Sequence, residues 1–296
     1  MKHKRILVAL NLTDGRDPVF ERALALAKTS GAELYLLHAV PAIQRFSFRA
    51  PERLLRVAEL RQRAEAAGVS VVTAEQHGDP AEIIVLHADA RPVDFIVMGS
   101  GRRTGWARFR QPSVAERVLR RTKRPTLVVP STDAVDASPF ENVLVAVELP
   151  ASRALIDTSM DLLGGGARRL TAIHAIDSVE PAGALRNRSR WLVPEYRGYV
   201  LGEARRRLKA ALPQTVGTDI KPKLRVAAGT AAETIGAHAD DVNADLIVMG
   251  RSKRFMHLGS TAVRILRNTN RALLVVPPTA AAQAVDAEQA IYERAA

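Results

Sequence analysis

"GDPAEIIVLHADARPVDFIVMG", residues 78–99, recurs without a gap as "GTAAETIGAHADDVNADLIVMG", residues 229–250, with 12 identities in 22 positions. A duplication of this size decides how the rest of the chain is read, because each element of one half is expected again in the other. The match continues in order on both sides. "RILVALNL" (5–12) pairs with "NVLVAVEL" (142–149), "LYLLHAV" (34–40) with "LTAIHAI" (170–176), and "SVAERVLRRTKRPTLVVP" (113–130) with "STAVRILRNTNRALLVVP" (260–277). The offset between the halves is 137 at the first strand, 136 at His38 and His174, 151 at Gly78 and Gly229, and 147 from Ser113 and Ser260 onward. The second half therefore gains 15 residues after its second strand and loses four in the loop before Ser260.

Within each half the elements alternate. The apolar runs "ILVAL", "LYLLHAV", "FIVMG" and "TLVVP" suit strands buried on both faces, while "DPVFERALALAKTSG" and "PAEIIVLHADA" carry helical spacing between turn residues. Strand and helix in alternation make a parallel sheet wound by right-handed crossovers. The expected class is α/β, two repeats of a five-stranded parallel open sheet with helices on both faces and ligands in the crevice at the strands' carboxyl ends. The expected division is a first domain over 1–132, a polar linker over 133–140, a second domain over 141–279 and an Ala-rich tail over 280–296, solvated or lightly docked.

Composition bounds the chemistry. The 296 residues are 47% apolar and only 4% aromatic, so the cores are built from Ala, Val, Leu and Ile. With no cysteine, disulfides, thiolate metal sites and a cysteine nucleophile are excluded. The basic start "MKHKRILVALNLTDGRD" lacks the apolar length and cleavage site of a signal peptide, and no run approaches the roughly 20 apolar residues of a membrane span. A cytoplasmic location is expected. The net charge of +12 favours phosphorylated or polyanionic partners, a nucleic acid or an acidic lipid headgroup, although an Arg- and Ala-rich composition explains it equally well.

Taken together, "ILVAL", "LLHAV", "GDPAEII", "DFIVMGS" and "SVAERVLRRTKRPTLVVP" give each half a resemblance to a universal stress protein domain, covering nearly all of residues 1–279. The resemblance implies a fold akin to the adenine nucleotide alpha hydrolases and a tandem, non-enzymatic stress-response module. It also implies two branches, one that binds ATP and one that does not. ATP-binding members carry an Asp just after strand one and G-x2-G-x9-G-[ST] after strand four. Here the Asp position holds Asn11 in the first half and Glu148 in the second. In the first half Gly99 fits, Arg102 replaces the second glycine and Pro112 the third, with Ser113 at the expected distance. In the second, Gly250 fits, Lys253 replaces the second glycine, and Gly259-Ser260 follow four residues early.

Glycines in such a loop permit positive φ and close approach of backbone N–H groups to phosphate oxygens. Pro112 removes one such donor, so the cradle is compromised in the first half. Arginines can grip phosphate without backbone help, and residues 102–124 hold nine basic side chains against one acid, Glu116. Arg120, Arg121, Lys123 and Arg124 also suit the end of a helix, whose dipole they complement, whereas Arg102, Arg103, Arg108 and Arg110 sit at the expected crevice.

Two ligand expectations follow from the resemblance. Either there is no cofactor, with protein partners or self-association as the working mode, or ATP or AMP is held weakly. The candidate contacts are Ala9, Leu10, Asn11, Val40, Gly99, Arg102, Arg103 and Ser113 in the first half. In the second they are Glu148, Ile176, Gly250, Lys253, Gly259, Ser260 and Thr261, the better phosphate site because Gly259-Ser260-Thr261 keep a helix N-terminus.

His38 and His174 both close strand two, and His87 and His238 share a place in the next helix, which points to shared hydrogen bonds within the fold. No spacing suggests a metal or a nucleophile. The insertion 181–200 interleaves Arg186, Arg188, Arg190 and Arg197 with Trp191, Tyr196 and Tyr199, as a base-stacking surface or as a lid. The flat runs "PTLVVP" and "ALLVVP" suit sheet edges that pair with each other, making a pseudo-dimer of the two domains, with a homodimer as a further expectation.

Overall fold

The computed structural model describes residues 4–12, 17–41, 50–101, 112–130, 140–149, 153–163, 167–176, 194–212, 220–251 and 258–278. Two compact units are present. One is Met1–Pro139 with Leu162–Gly164 and Leu266–Val275, and the other is Phe140–Asp161 with Gly165–Ile265 and Val276–Ala296.

The first unit runs β1 (Arg5–Leu10), α1 (Pro18–Ser30), β2 (Glu33–Val40), α2 (Ala50–Ala66), β3 (Val71–His77), α3 (Pro80–Ala90), β4 (Phe95–Gly99), α4 (Val114–Arg121) and β5 (Thr126–Val129). Its strands lie in the order β3-β2-β1-β4-β5 and are parallel throughout. The apolar runs lie where burial on both faces demands them, since β1, β4 and β5 are buried nearly end to end. β3 is the edge and alternates in exposure, which is why "VVTAEQH" carries so weak a strand signal.

Local sequence sets the helix starts. Asp17 and Asp79 each precede a proline, and each carboxylate accepts an N–H two residues inside its helix, from Phe20 and Glu82, both at 3.0 Å. Ser113 does the same for α4, accepting from the Glu116 N–H at 3.1 Å. At the end of α1, Gly31 takes the left-handed conformation (φ 65°) that closes the helix.

The second unit contains β6 (Asn142–Ala146), α5 (Arg153–Leu163) up to Asp161, β7 (Arg169–Ile176), α6 (Pro194–Ala211), β8 (Lys223–Ala228), α7 (Ala231–Asp241), β9 (Leu246–Gly250) and the first turns of α8 (Ser260–Asn268). Its strands are ordered β9-β6-β7-β8, again parallel. The final strand, β10 (Ala272–Val276), lies almost wholly within the first unit. There it pairs antiparallel with β5 in the register Leu273 to Val128, Leu274 to Leu127 and Val275 to Thr126. The two closing strands thus pair as expected: β5 is the last of its repeat's five strands, with β4 on one side and β10 added on the other.

Candidate functional site

In the first unit the crevice lies where β1, β2 and β4 end. Ala9 sits in register between Leu37 and Met98, and Leu10 closes β1 fully buried, while Asn11 beyond it is exposed. The Leu10 carbonyl accepts from His38 Nδ1–H at 3.3 Å, and the Val40 carbonyl accepts from the Gly78 N–H at 2.9 Å. Gly99 ends β4 half-buried, and a Cβ there would lie 3.5 Å from Val19 Cγ2, an ordinary contact. The chain's own packing therefore does not require a glycine at this position.

Sequence reasoning missed a group of polar atoms around these strand ends. Asp17 Oδ2, His38 Nε2, Arg53 Nε and Ser100 Oγ are all buried without a hydrogen-bond partner. Burial pushes the Asp17 carboxyl above its ordinary value against the Phe20 N–H and the nearby Arg56 charge, and burial pushes the His38 ring below its own. Unsatisfied buried polar atoms are few in native proteins, and a water or a ligand group reaching in would satisfy these. The one signal in the sequence was the Asp-Pro pair at 17–18, which repeats at 79–80.

The arginine-rich stretch divides at Pro112. Arg102, Arg103, Arg108 and Arg110 lie outside the described residues. Beyond them, Pro112 is exposed and Ser113 spends its hydroxyl on capping α4. Two of the three basic side chains of α4 face acids that a count along 102–124 leaves out, and the third faces Glu116. Arg117 holds Asp79 at 2.7 and 2.8 Å, Arg121 reaches Glu82 at 3.3 Å, and Arg120 reaches Glu116 at 2.8 Å.

In the second unit the same positions recur. Glu148 is exposed two residues beyond β6, and the Ile176 carbonyl accepts from the Gly229 N–H at 3.0 Å, as Val40 does from Gly78. His174 Nδ1–H donates to the Val147 carbonyl at 2.9 Å, repeating the bond from His38 to Leu10. Gly250 is exposed at the end of β9, and the Arg251 N–H donates to Val276 at 2.8 Å as the Ser100 N–H does to Val129 at 2.9 Å. Lys253 lies outside the described residues. Gly259 and Thr261 are half-buried and Ser260 exposed at the start of α8, whose first turn carries no acid. Of the insertion, Arg186, Arg188, Arg190 and Trp191 lie outside the described residues, while Tyr196, Arg197 and Tyr199 fall on α6, with Tyr199 exposed.

Among the described residues no group of three acids, histidines or cysteines is arranged to hold a metal ion, and no helix is long and apolar enough to cross a membrane. The family model described as "Universal stress protein family" matches residues 2–130 and again 139–277. The chain belongs to the universal stress protein family. A curated universal stress protein of Methanocaldococcus jannaschii is 32% identical over 142 residues, spanning 43% of this chain and 82% of that protein. Among solved structures, a universal stress protein of Archaeoglobus fulgidus covers 94% of this chain and 99% of its own at 22% identity and a TM-score of 0.64. One from Pseudomonas aeruginosa, described as a putative universal stress protein, covers 93% and 94% at 18% identity and a TM-score of 0.66. These structures bear on the fold alone, and their near-complete coverage of both chains agrees with a tandem arrangement of two universal stress protein repeats.

Proposed function

We propose that this tandem universal stress protein is a non-catalytic binding and regulatory module of the branch that does not hold ATP, working through a protein partner or through its own oligomerisation. The observation that carries this reading is the start of α4. The Ser113 hydroxyl is committed to the Glu116 N–H, Pro112 before it has no N–H, and the Glu116 carboxylate occupies the first turn. A phosphate approaching this helix would meet a terminus whose Glu116 N–H is already taken by Ser113 and whose preceding residue offers no amide. Asn11, standing where ATP-binding members have Asp, supports the same conclusion. Domains over 1–132 and 141–279 and a cytoplasmic location go with this reading. Mass spectrometry of the protein denatured straight from purification tests it. The expected spectrum shows the chain without nucleotide, and stoichiometric ATP would overturn the reading.

A second reading is favoured by one contrast. The first turn of α8 has no acid, whereas those of α1, α3 and α4 carry Glu21, Glu82 and Glu116. An anion, or ATP or AMP held weakly, is therefore better accommodated at Glu148, Ile176, Gly250, Lys253 and Gly259-Ser260-Thr261 than at Ala9, Leu10, Val40, Gly99 and Ser113. A rise in melting temperature with ATP or AMP that disappears in Gly259→Asp would support it. The polyanion reading rests on the net charge of +12 and is weakened by the ion pairs of Arg117, Arg120 and Arg121. It requires association that falls steeply with salt.

A further inference from the structure

In the first turn of α4, Glu116 lies between two guanidinium groups with its side chain only 3% exposed. Arg120 Nη2 donates to Oε1 and Arg267 Nη2 to Oε2, each at 2.8 Å. Burial alone would raise this carboxyl, but the bonds from Arg120 and Arg267 more than offset that and leave it below its ordinary value. Arg120 is one turn further along the same helix. Arg267 belongs to segment 266–275, the part of the second repeat that lies in the first compact unit and carries β10 onto β5.

The repeat makes this cluster informative. Arg120 and Arg267 are equivalents, seven residues after Ser113 and Ser260, and Leu127 and Leu274, opposite one another in the ladder, are also equivalents. The β5 to β10 ladder is therefore centred on equivalent residues, so any two such closing strands, from one chain or two, can form it. The side chains break that symmetry. The equivalent of Glu116 is Val263, so one acid serves two matching arginines.

We propose that Glu116 selects what the β5 edge accepts. It takes an Arg267-bearing segment 266–275, from its own chain or by reciprocal exchange from a second copy, and it prevents two 266–275 segments from pairing with each other. Two such segments would bring guanidinium groups together where Val263 supplies no acid, a repulsion that acts against the wrong pairing. Two β5 edges are matched in charge, yet their pairing would leave both 266–275 segments to each other or to water. The partner that fits this surface is thus segment 266–275, and its own chain is favoured by effective concentration.

Charge reversal tests the proposal in the full-length chain. E116R alone and R267E alone each place like charges together and are expected to lower the melting temperature and to yield mixed oligomers. The double variant E116R/R267E restores an opposed pair and is expected to regain the wild-type melting temperature and size distribution. The decisive arm co-expresses the two single variants under different tags. Each chain's 266–275 segment then matches only the other chain's first unit, so native mass spectrometry should show a one-to-one heterodimer as the main species. A double variant no better than E116R, or single variants that fail to associate with each other, would overturn the proposal, and both readouts remain available if the single variants do not fold alone.

Discussion

Arg117 holds Asp79 through two parallel hydrogen bonds, 2.7 Å to Oδ2 and 2.8 Å to Oδ1, while the same Oδ1 accepts the Glu82 N–H that opens α3. One carboxylate therefore caps one helix and anchors the next. Asp79→Ala removes both roles and is expected to lower stability by about 1–2 kcal/mol, the scale of a helix cap plus a partly exposed ion pair. Arg117→Lys keeps the charge but loses the fork, and is expected to cost less than about 1 kcal/mol in urea denaturation. The hydrogen bonds from Arg117 hold the Asp79 carboxyl below its ordinary value. Its contribution is thus fully present above the unfolded value of about 3.9 and is lost as pH falls through the lower folded value, so Asp79→Asn should shallow the acid limb of the stability profile.

His87 is expected to give the upper part of that acid limb its slope. Tyr35 O–H donates to His87 Nδ1 at 2.7 Å, Arg91 Nη1 approaches the same nitrogen at 3.1 Å, and Nε2–H is left to donate to Gln76 Oε1. Burial, and then the Arg91 charge, hold this ring below the usual histidine value, and burial does the same to His38. Both rings stay neutral in the folded chain at pH values where the unfolded chain takes up protons. Stability should therefore be full above about pH 6.5 and decline below it, and His87→Gln should flatten part of that decline in melting curves. Tyr35→Phe leaves the buried ring nitrogen short of one donor, at a cost of about 1–2 kcal/mol.

Gly78 and Gly229 occupy equivalent turns with φ of 148° and 149°. A Cβ would lie 3.3 Å from Ile83 Cδ1 at the first and 2.8 Å from Thr234 Oγ1 at the second. Gly78→Ala should cost about 1–2 kcal/mol from backbone strain, and Gly229→Ala more, about 2–3 kcal/mol, because the clash adds to the strain. Introducing Thr234→Ala beside Gly229→Ala should recover the added part, a coupling that urea titrations of the four variants measure directly.

What could be read from the sequence was what short range decides. The alternation of strand and helix that the duplication of 78–99 at 229–250 repeats, and the buried runs of β1, β4 and β5, depend on neighbouring residues, and each is found where expected. The paired histidines were legible in part. His38 and His174 do make the same bond to equivalent carbonyls, but His87 binds Tyr35 and Gln76, whose equivalents Thr171 and Ala227 cannot replace them, and His238 turns to the Thr234 carbonyl instead. The charge balance of α4 was not legible, because Arg117 finds Asp79 38 residues away and Glu116 finds Arg267 151 residues away. Only the order of strands and helices brings those groups together. The same holds for Asp17, His38, Arg53 and Ser100, four residues from separate elements whose buried atoms lack partners around the first crevice.

Isothermal titration of ATP with magnesium into the purified full-length chain tests the central claim most directly. The capped start of α4, the absent amide at Pro112 and Asn11 at the acid position predict no saturable heat at micromolar ATP. Saturable binding in that range, at one or two equivalents per chain, would contradict the account.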